Sequence, residues 1–236
     1  MRLLAFLLSF LLSAGSALAG DELAPVVAPD GFSFNYVLTT GNGGKPAYAV
    51  ILMPGGNGNM SPRLVNGKVV FNGGGNFLIR SRAIFAEGPF VAASTDATST
   101  PGRILAITAD LEKRFGPLKI YVVGTSRSTE ATMALSGPLD GRVAGFVHSS
   151  SVNAISSFDP RKFKSRHLIV LHRMDGCKVT KPAMGEASHR SYGTELIEID
   201  GGKSVDDDCE AFAHHGYNGV ERETVQKIKD WIVAGK

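Results

Sequence analysis

Short, almost unbroken apolar runs recur through this chain, each ending at a glycine, proline or polar break. Residues 47–53 (AYAVILM), 89–93, 119–123, 143–147 and 168–171 are too short for helices and too continuously apolar for strands with one wet face, and 195–199 read as a further strand. Such runs are what the middle strands of a sheet covered on both sides look like. Between them, residues 76–87, 103–115, 129–135 and 180–190 space their apolar residues at helical period. A last helix is expected from Asn218, with Glu221 three residues on as the partner of a capping box. Residues 34–39 alternate like an early strand, and 68–71 form a small one. Alternating strands and helices dictate an α/β fold with a mostly parallel sheet and helices on both faces. The 236 residues are enough for one such core.

The first nineteen residues read as something else. Arg2 is followed by an apolar run to Leu12 and by a small-residue stretch ending in Ala17-Leu18-Ala19. That is a secretory signal peptide with its cleavage site, about half as long as a membrane-spanning helix. Residues 20–236 then form a single domain, expected to be exported and not inserted in a membrane. The 25 basic and 22 acidic residues are spread along the chain, which argues against a nucleic-acid groove or a polybasic membrane patch. Export also changes how Cys177 and Cys209 read: an even pair in an oxidising compartment is expected to form a disulfide.

In a parallel sheet, chemistry gathers where strands end. The strand 119–123 runs into Gly124-Thr125-Ser126-Arg127-Ser128 and then directly into a helix. A tight strand-to-helix turn strains and exposes the residue at its apex, here Ser126, and aims the helix N-terminus at it. The N–H of Arg127 then faces any oxyanion that develops beside Ser126. The alternative is that Ser126 only caps the helix. A reactive serine needs a base and an orienting acid. Asp175 lies just past the strand 168–171, and His214 and His215 sit in a loop before the last helix. Either histidine can serve as base; Asp96 and Asp159 are the other acids that follow strands or turns. Residues 54–58 (PGGNG) follow the central strand, and the N–H of Gly56 or Asn57 is the expected second oxyanion donor. The remaining histidines lack metal-ligand spacing.

Five segments, PGGNG (54–58), NFLIRSR (76–82), GTSRS (124–128), HRMDGCKVT (172–180) and AHHGYNGVE (213–221), together resemble the α/β-hydrolase superfamily. More narrowly, they resemble a group of exported bacterial hydrolase-like proteins. The resemblance implies an α/β-hydrolase fold, with Ser126 as nucleophile, Asp175 as acid and His215 as base, in the chain order usual for that fold. It departs from the usual elbow at Ser128, where glycine is expected. It further implies a periplasmic or extracellular serine hydrolase acting on a carboxylic ester through an acyl-enzyme, without a cofactor. A peptidase or amidase on the same fold, or a binding protein that has lost the chemistry, are the alternatives. The segment between the strands 143–147 and 168–171 is too short for a large lid domain, which suits a small-molecule or polymer-end ester.

Overall fold

In the computed structural model, which describes residues 20–235, the apolar runs become the middle of an eight-stranded sheet. The expected signal peptide lies outside the described residues. In chain order the strands are β1 (Gly20–Val27), β2 (Ser33–Thr40), β3 (Tyr48–Met53), a separate hairpin of β4 (Arg63–Val65) and β5 (Lys68–Val70), β6 (Phe90–Ser94), β7 (Lys119–Thr125), β8 (Gly145–Ser149), β9 (Arg166–His172) and β10 (Glu195–Ile199). The large sheet runs β1-β2-β6-β3-β7-β8-β9-β10. From β6 to β10 all pairings are parallel, while β1 and β2 add an antiparallel edge. The chain leaves β3 to build β6 on one side and β7 on the other. That reversal makes the carboxyl ends of β3 and β7 the natural crevice.

Each central strand is buried on both faces because its side chains alternate between two apolar cores. On β3, Val50 and Leu52 join one core, and Ala49, Ile51 and Met53 join the other. On β7, Tyr121 and Val123 pair with the first core, and Ile120 and Val122 with the second. The first core is closed by α1 (Phe77–Arg80), α2 (Arg82–Phe85) and the last helix, α6 (Glu221–Ala234), through Phe77, Phe85, Val225, Ile228 and Ile232. The second is closed by α3 (Pro101–Phe115) and α4 (Ser128–Ser136), through Ile104, Ile107, Leu111 and Leu135. On that side α5 (Pro182–Tyr192) packs Gly185 close to Ile169 and Leu171. Burying a side chain of this size contributes about 1.5–3 kcal/mol.

Three local expectations change. The helix expected over 76–87 is two short ones, broken at Ser81. The flanking arginines pull opposite ways: Arg80 reaches Gly216 O and Glu221, whereas Arg82 reaches Asp21 and bonds Ile79 O. Asn218 does not cap α6. Its amide donates to Phe212 O and Lys203 O, the cap position is Val220, and Glu221 accepts from Gly219 N. β1 was not expected from the pattern, because it is largely exposed and carries Pro25.

Under α4 lies a buried pair of imidazoles. His148 Nε2 is 3.1 Å from His167 Nδ1, Thr132 Oγ1 is 2.7 Å from His148 Nδ1, and Phe146, Phe158 and Phe163 pack on the His167 ring. Burial holds His148 well below the ordinary imidazole value and moves His167 down to about 4, with Asp140 opposing the shift of His167. Both are therefore neutral in the fold where an unfolded imidazole, near 6.5, already takes a proton. The unfolded chain binds more protons in that window, so stability is full above about pH 6.5 and falls as pH drops towards 4. Denaturant titrations followed by circular dichroism should show a loss on the order of 3 kcal/mol from His167 across the window. His167→Gln, which keeps a donor for His148 but cannot titrate, should remove the His167 share and leave only what His148 contributes. An equally steep fall in that variant would remove His167 as a cause.

Candidate active site

The turn after β7 has the strain its sequence promises. Ser126 has φ 55°, in the left-handed region that non-glycine residues seldom occupy. Two close approaches make the turn possible. A Cβ on Gly124 would lie 2.8 Å from Ser128 O and 2.9 Å from Thr132 Cγ2, so strand and helix meet there only because it is glycine. Ser128 fits without loss. It is buried, its hydroxyl accepts from Thr125 N at 2.8 Å, and it lies 2.8 Å from Met53 O and 2.9 Å from Thr125 O. A serine in the usual glycine position thus ties the end of β3 to the elbow.

The loop after β3 lies against this turn. A Cβ on Gly55 would fall 2.9 Å from Ser126 Cβ and 2.8 Å from Thr125 O. Gly55 is thus the glycine whose missing side chain lets the two loops touch, and the motif alone did not separate it from Gly56. Among the described residues the N–H groups of Gly56, Asn57 and Arg127 have no protein acceptor. Gly56, Asn57 and the exposed Arg127 line a cleft of about 380 Å³, together with Pro54, Ala97 and Glu130.

Two strands along, past the end of β9, the acid and base candidates meet. His215 Nδ1 is 3.0 Å from Asp175 Oδ2, and both side chains are buried. The carboxylate's other oxygen, Oδ1, accepts the Cys177 N–H at 2.9 Å. A carboxylate facing Nδ1 favours the tautomer with its proton there, leaving the lone pair on Nε2. His214 is turned elsewhere: its ring stacks on His172 with centroids 4.8 Å apart. His172 accepts from Met174 N at Nδ1, so its Nε2–H donates to Gly201 O at 2.9 Å. Asp96 instead clamps a loop through Met60 N and Ser61 N, and Asp159 caps a short 3-10 turn through Arg161 N.

The loops that bring Asp175 and His215 are covalently joined. Cys177 and Cys209 form a disulfide with Cα atoms 4.7 Å apart. The Cys177 sulfur, a carboxylate oxygen of Asp175 and a ring nitrogen of His215 all lie within 4.8 Å of one another. The bridge therefore sits against the pair it holds together. With the cysteines 32 positions apart in sequence, such a link stabilises the fold by about 3–4 kcal/mol in the chain-entropy account.

Ser126 and His215 are brought to the same edge by a shared anchor. Ser126 N donates to Ser149 O at 3.0 Å, and the next residue, Ser150, donates its hydroxyl to His215 O at 2.7 Å. Tyr217, fully buried, donates its hydroxyl to Val170 O and accepts from Ser150 N. Burial pushes that phenol well up from its usual value, so it stays a donor. The Ser126 hydroxyl itself has no hydrogen-bond partner among the described residues. The hydrogen bond expected between that hydroxyl and His215 is therefore not formed in this structure; in acyl-transfer sites such a bond commonly tightens only with substrate in place. Sequence reasoning missed Ser150, Tyr217 and Thr180, which touches both Asp175 and His215. Thr180 and Tyr217 lie within the segments 172–180 and 213–221 that carry the resemblance, and Ser150 within the serine run 149–151 at a strand end, but nothing in the sequence singles them out.

A strained serine on a strand-to-helix turn, beside a parallel sheet whose later loops carry a paired aspartate and histidine, defines the α/β-hydrolase fold. The comparisons place the chain in that fold. Its structure is similar to that of Est1E from Butyrivibrio proteoclasticus, with a TM-score of 0.63 and 15% identity, covering 91% of this chain and 99% of that one. Dienelactone hydrolase from Anabaena variabilis gives 0.63 and 14%, covering 92% and 98%. A serine hydrolase without lid from Xanthomonas campestris gives 0.57 and 9%, covering 88% and 94%. In this chain two short 3-10 turns are the regular elements between β8 and β9. No family model and no curated protein matches the sequence. No helix among the described residues is long and apolar enough to cross a membrane.

Proposed function

We propose that this protein is an exported serine hydrolase that cleaves carboxylic esters through an acyl-enzyme. The observation that carries the reading is the buried hydrogen bond between His215 Nδ1 and Asp175 Oδ2, held at the same sheet edge as the strained Ser126. His215 Nε2 takes the Ser126 proton as the hydroxyl attacks the ester carbonyl. The N–H of Arg127 and those of Gly56 and Asn57 hold the oxyanion. His215 then protonates the leaving alcohol, and water, activated by the same nitrogen, releases the acid. Asp175 keeps the imidazole in the productive tautomer throughout. No cofactor enters these steps.

Four further observations support the reading. The lidless protein from Xanthomonas campestris is described as a serine hydrolase, and this chain shares its fold. Ser128, which stands where the usual elbow has glycine, is hydrogen-bonded into the turn. The short connection between β8 and β9 suits a small or polymer-end ester with open access, and the disulfide suits an oxidising compartment outside the cytoplasm. The test is labelling of the mature protein with a fluorophosphonate probe, alongside turnover of matched p-nitrophenyl esters and anilides. Covalent labelling with faster ester than anilide cleavage is expected. A well-folded protein that takes up no probe and turns over neither substrate would end the reading.

A further inference from the structure

We propose that Thr180 is a positioning residue of the acid–base pair, a role that rests on the reading of Asp175 and His215 above. Thr180 lies in the turn between the disulfide and α5, and only 2% of it is exposed. Its hydroxyl donates to Asp175 Oδ2 at 3.1 Å and is also 3.1 Å from His215 Nδ1. With the 3.0 Å contact between Nδ1 and Oδ2, the three atoms form a nearly equilateral triangle. Two protons serve its three edges. The hydroxyl proton belongs to the Thr180–Asp175 edge, and the Nδ1 proton is shared between the carboxylate and the Thr180 oxygen.

This arrangement does two things that Asp175 alone cannot. The Cys177 N–H holds Oδ1 and the Thr180 hydroxyl holds Oδ2, so the carboxylate plane cannot rotate about its own bond. The imidazole proton meets two acceptors in place of one, which fixes the ring about the axis that aims Nε2. The turn carrying Thr180 is itself pinned: Thr180 N donates to Cys177 O at 3.2 Å, and Asn153 N donates to Val179 O at 2.9 Å. The hydroxyl is therefore set by backbone and not by a free rotor on a loose loop. Orientation of this kind acts on the chemical step and leaves substrate binding alone.

The test exploits the two halves of the side chain. Thr180→Val keeps the shape and removes the hydroxyl, while Thr180→Ser keeps the hydroxyl and removes a methyl. Assayed on the mature, disulfide-bonded protein with p-nitrophenyl acetate, the valine variant should lose about tenfold or more in kcat with KM little changed. The serine variant should stay within about twofold of wild type. A proton NMR measurement of the His215 Nδ1–H reads the same contact without turnover: its resonance should move in the valine variant and hold in the serine variant. Loss in serine but not valine would make the role one of packing, and equal kcat in all three proteins would remove it. An unmoved resonance in the valine variant would also overturn the proposal. A wild type that neither labels nor turns over, but whose resonance moves as described, would sink the hydrolase reading and leave the contact standing.

Discussion

Ser126→Ala should abolish fluorophosphonate labelling and lower ester turnover by on the order of 10⁶-fold in kcat, the scale seen when a catalytic serine is removed from a triad. The fold should not notice. The Ser126 hydroxyl bonds nothing among the described residues, so its removal orphans no partner. The backbone bonds that hold the turn, Ser126 N to Ser149 O and Thr129 N to Ser126 O at 2.9 Å, are indifferent to the side chain. Alanine meets the positive φ with the same Cβ that serine has. Circular dichroism and thermal midpoint should therefore match wild type while the probe signal vanishes. Residual labelling at another residue, or turnover within tenfold of wild type, would move the nucleophile elsewhere.

Asp175→Asn should cost about 10⁴-fold in kcat, the size of effect that a wrong imidazole tautomer produces. Here the direction of the new amide is dictated by a neighbour. The Cys177 N–H needs an acceptor at the Oδ1 position, so the asparagine carbonyl must sit there. Its NH₂ then occupies the Oδ2 position and points a donor at His215 Nδ1. An Nδ1–H then keeps only the Thr180 oxygen as acceptor, against a donor where the carboxylate stood, so the proton shifts towards Nε2 and blocks the lone pair that should receive the Ser126 proton. The loss should appear in kcat and in the labelling rate together. A loss smaller than tenfold would show that His215 does not depend on this carboxylate.

How much of this was legible in the chain depends on how local each feature is. The central strands could be read because burial on both faces leaves no polar residue within 49–53 or 120–123. The elbow could be read because a strained turn demands small residues at fixed offsets, and Gly124 meets that demand. The aspartate and the histidine region followed from lying after strands. The choice between His214 and His215 was not local: it depends on which ring meets a carboxylate brought from forty residues away. The break at Ser81 depends on where Asp21 and Glu221 come to rest, and no periodicity in 76–87 carries that. Thr180 was invisible for the same reason. One threonine before a Lys-Pro step is unremarkable until the fold lays it against both members of a pair.

The strained serine and the paired histidine are held by different kinds of force. Sheet packing and main-chain bonding position the former, and neither involves sulfur. The histidine arrives at the end of a segment, 200–213, without regular secondary structure, fastened by a few polar contacts and by Cys209. Reduction of that one covalent tie is therefore expected to loosen the segment carrying His215 while leaving the turn at Ser126, which main-chain bonds hold, in place.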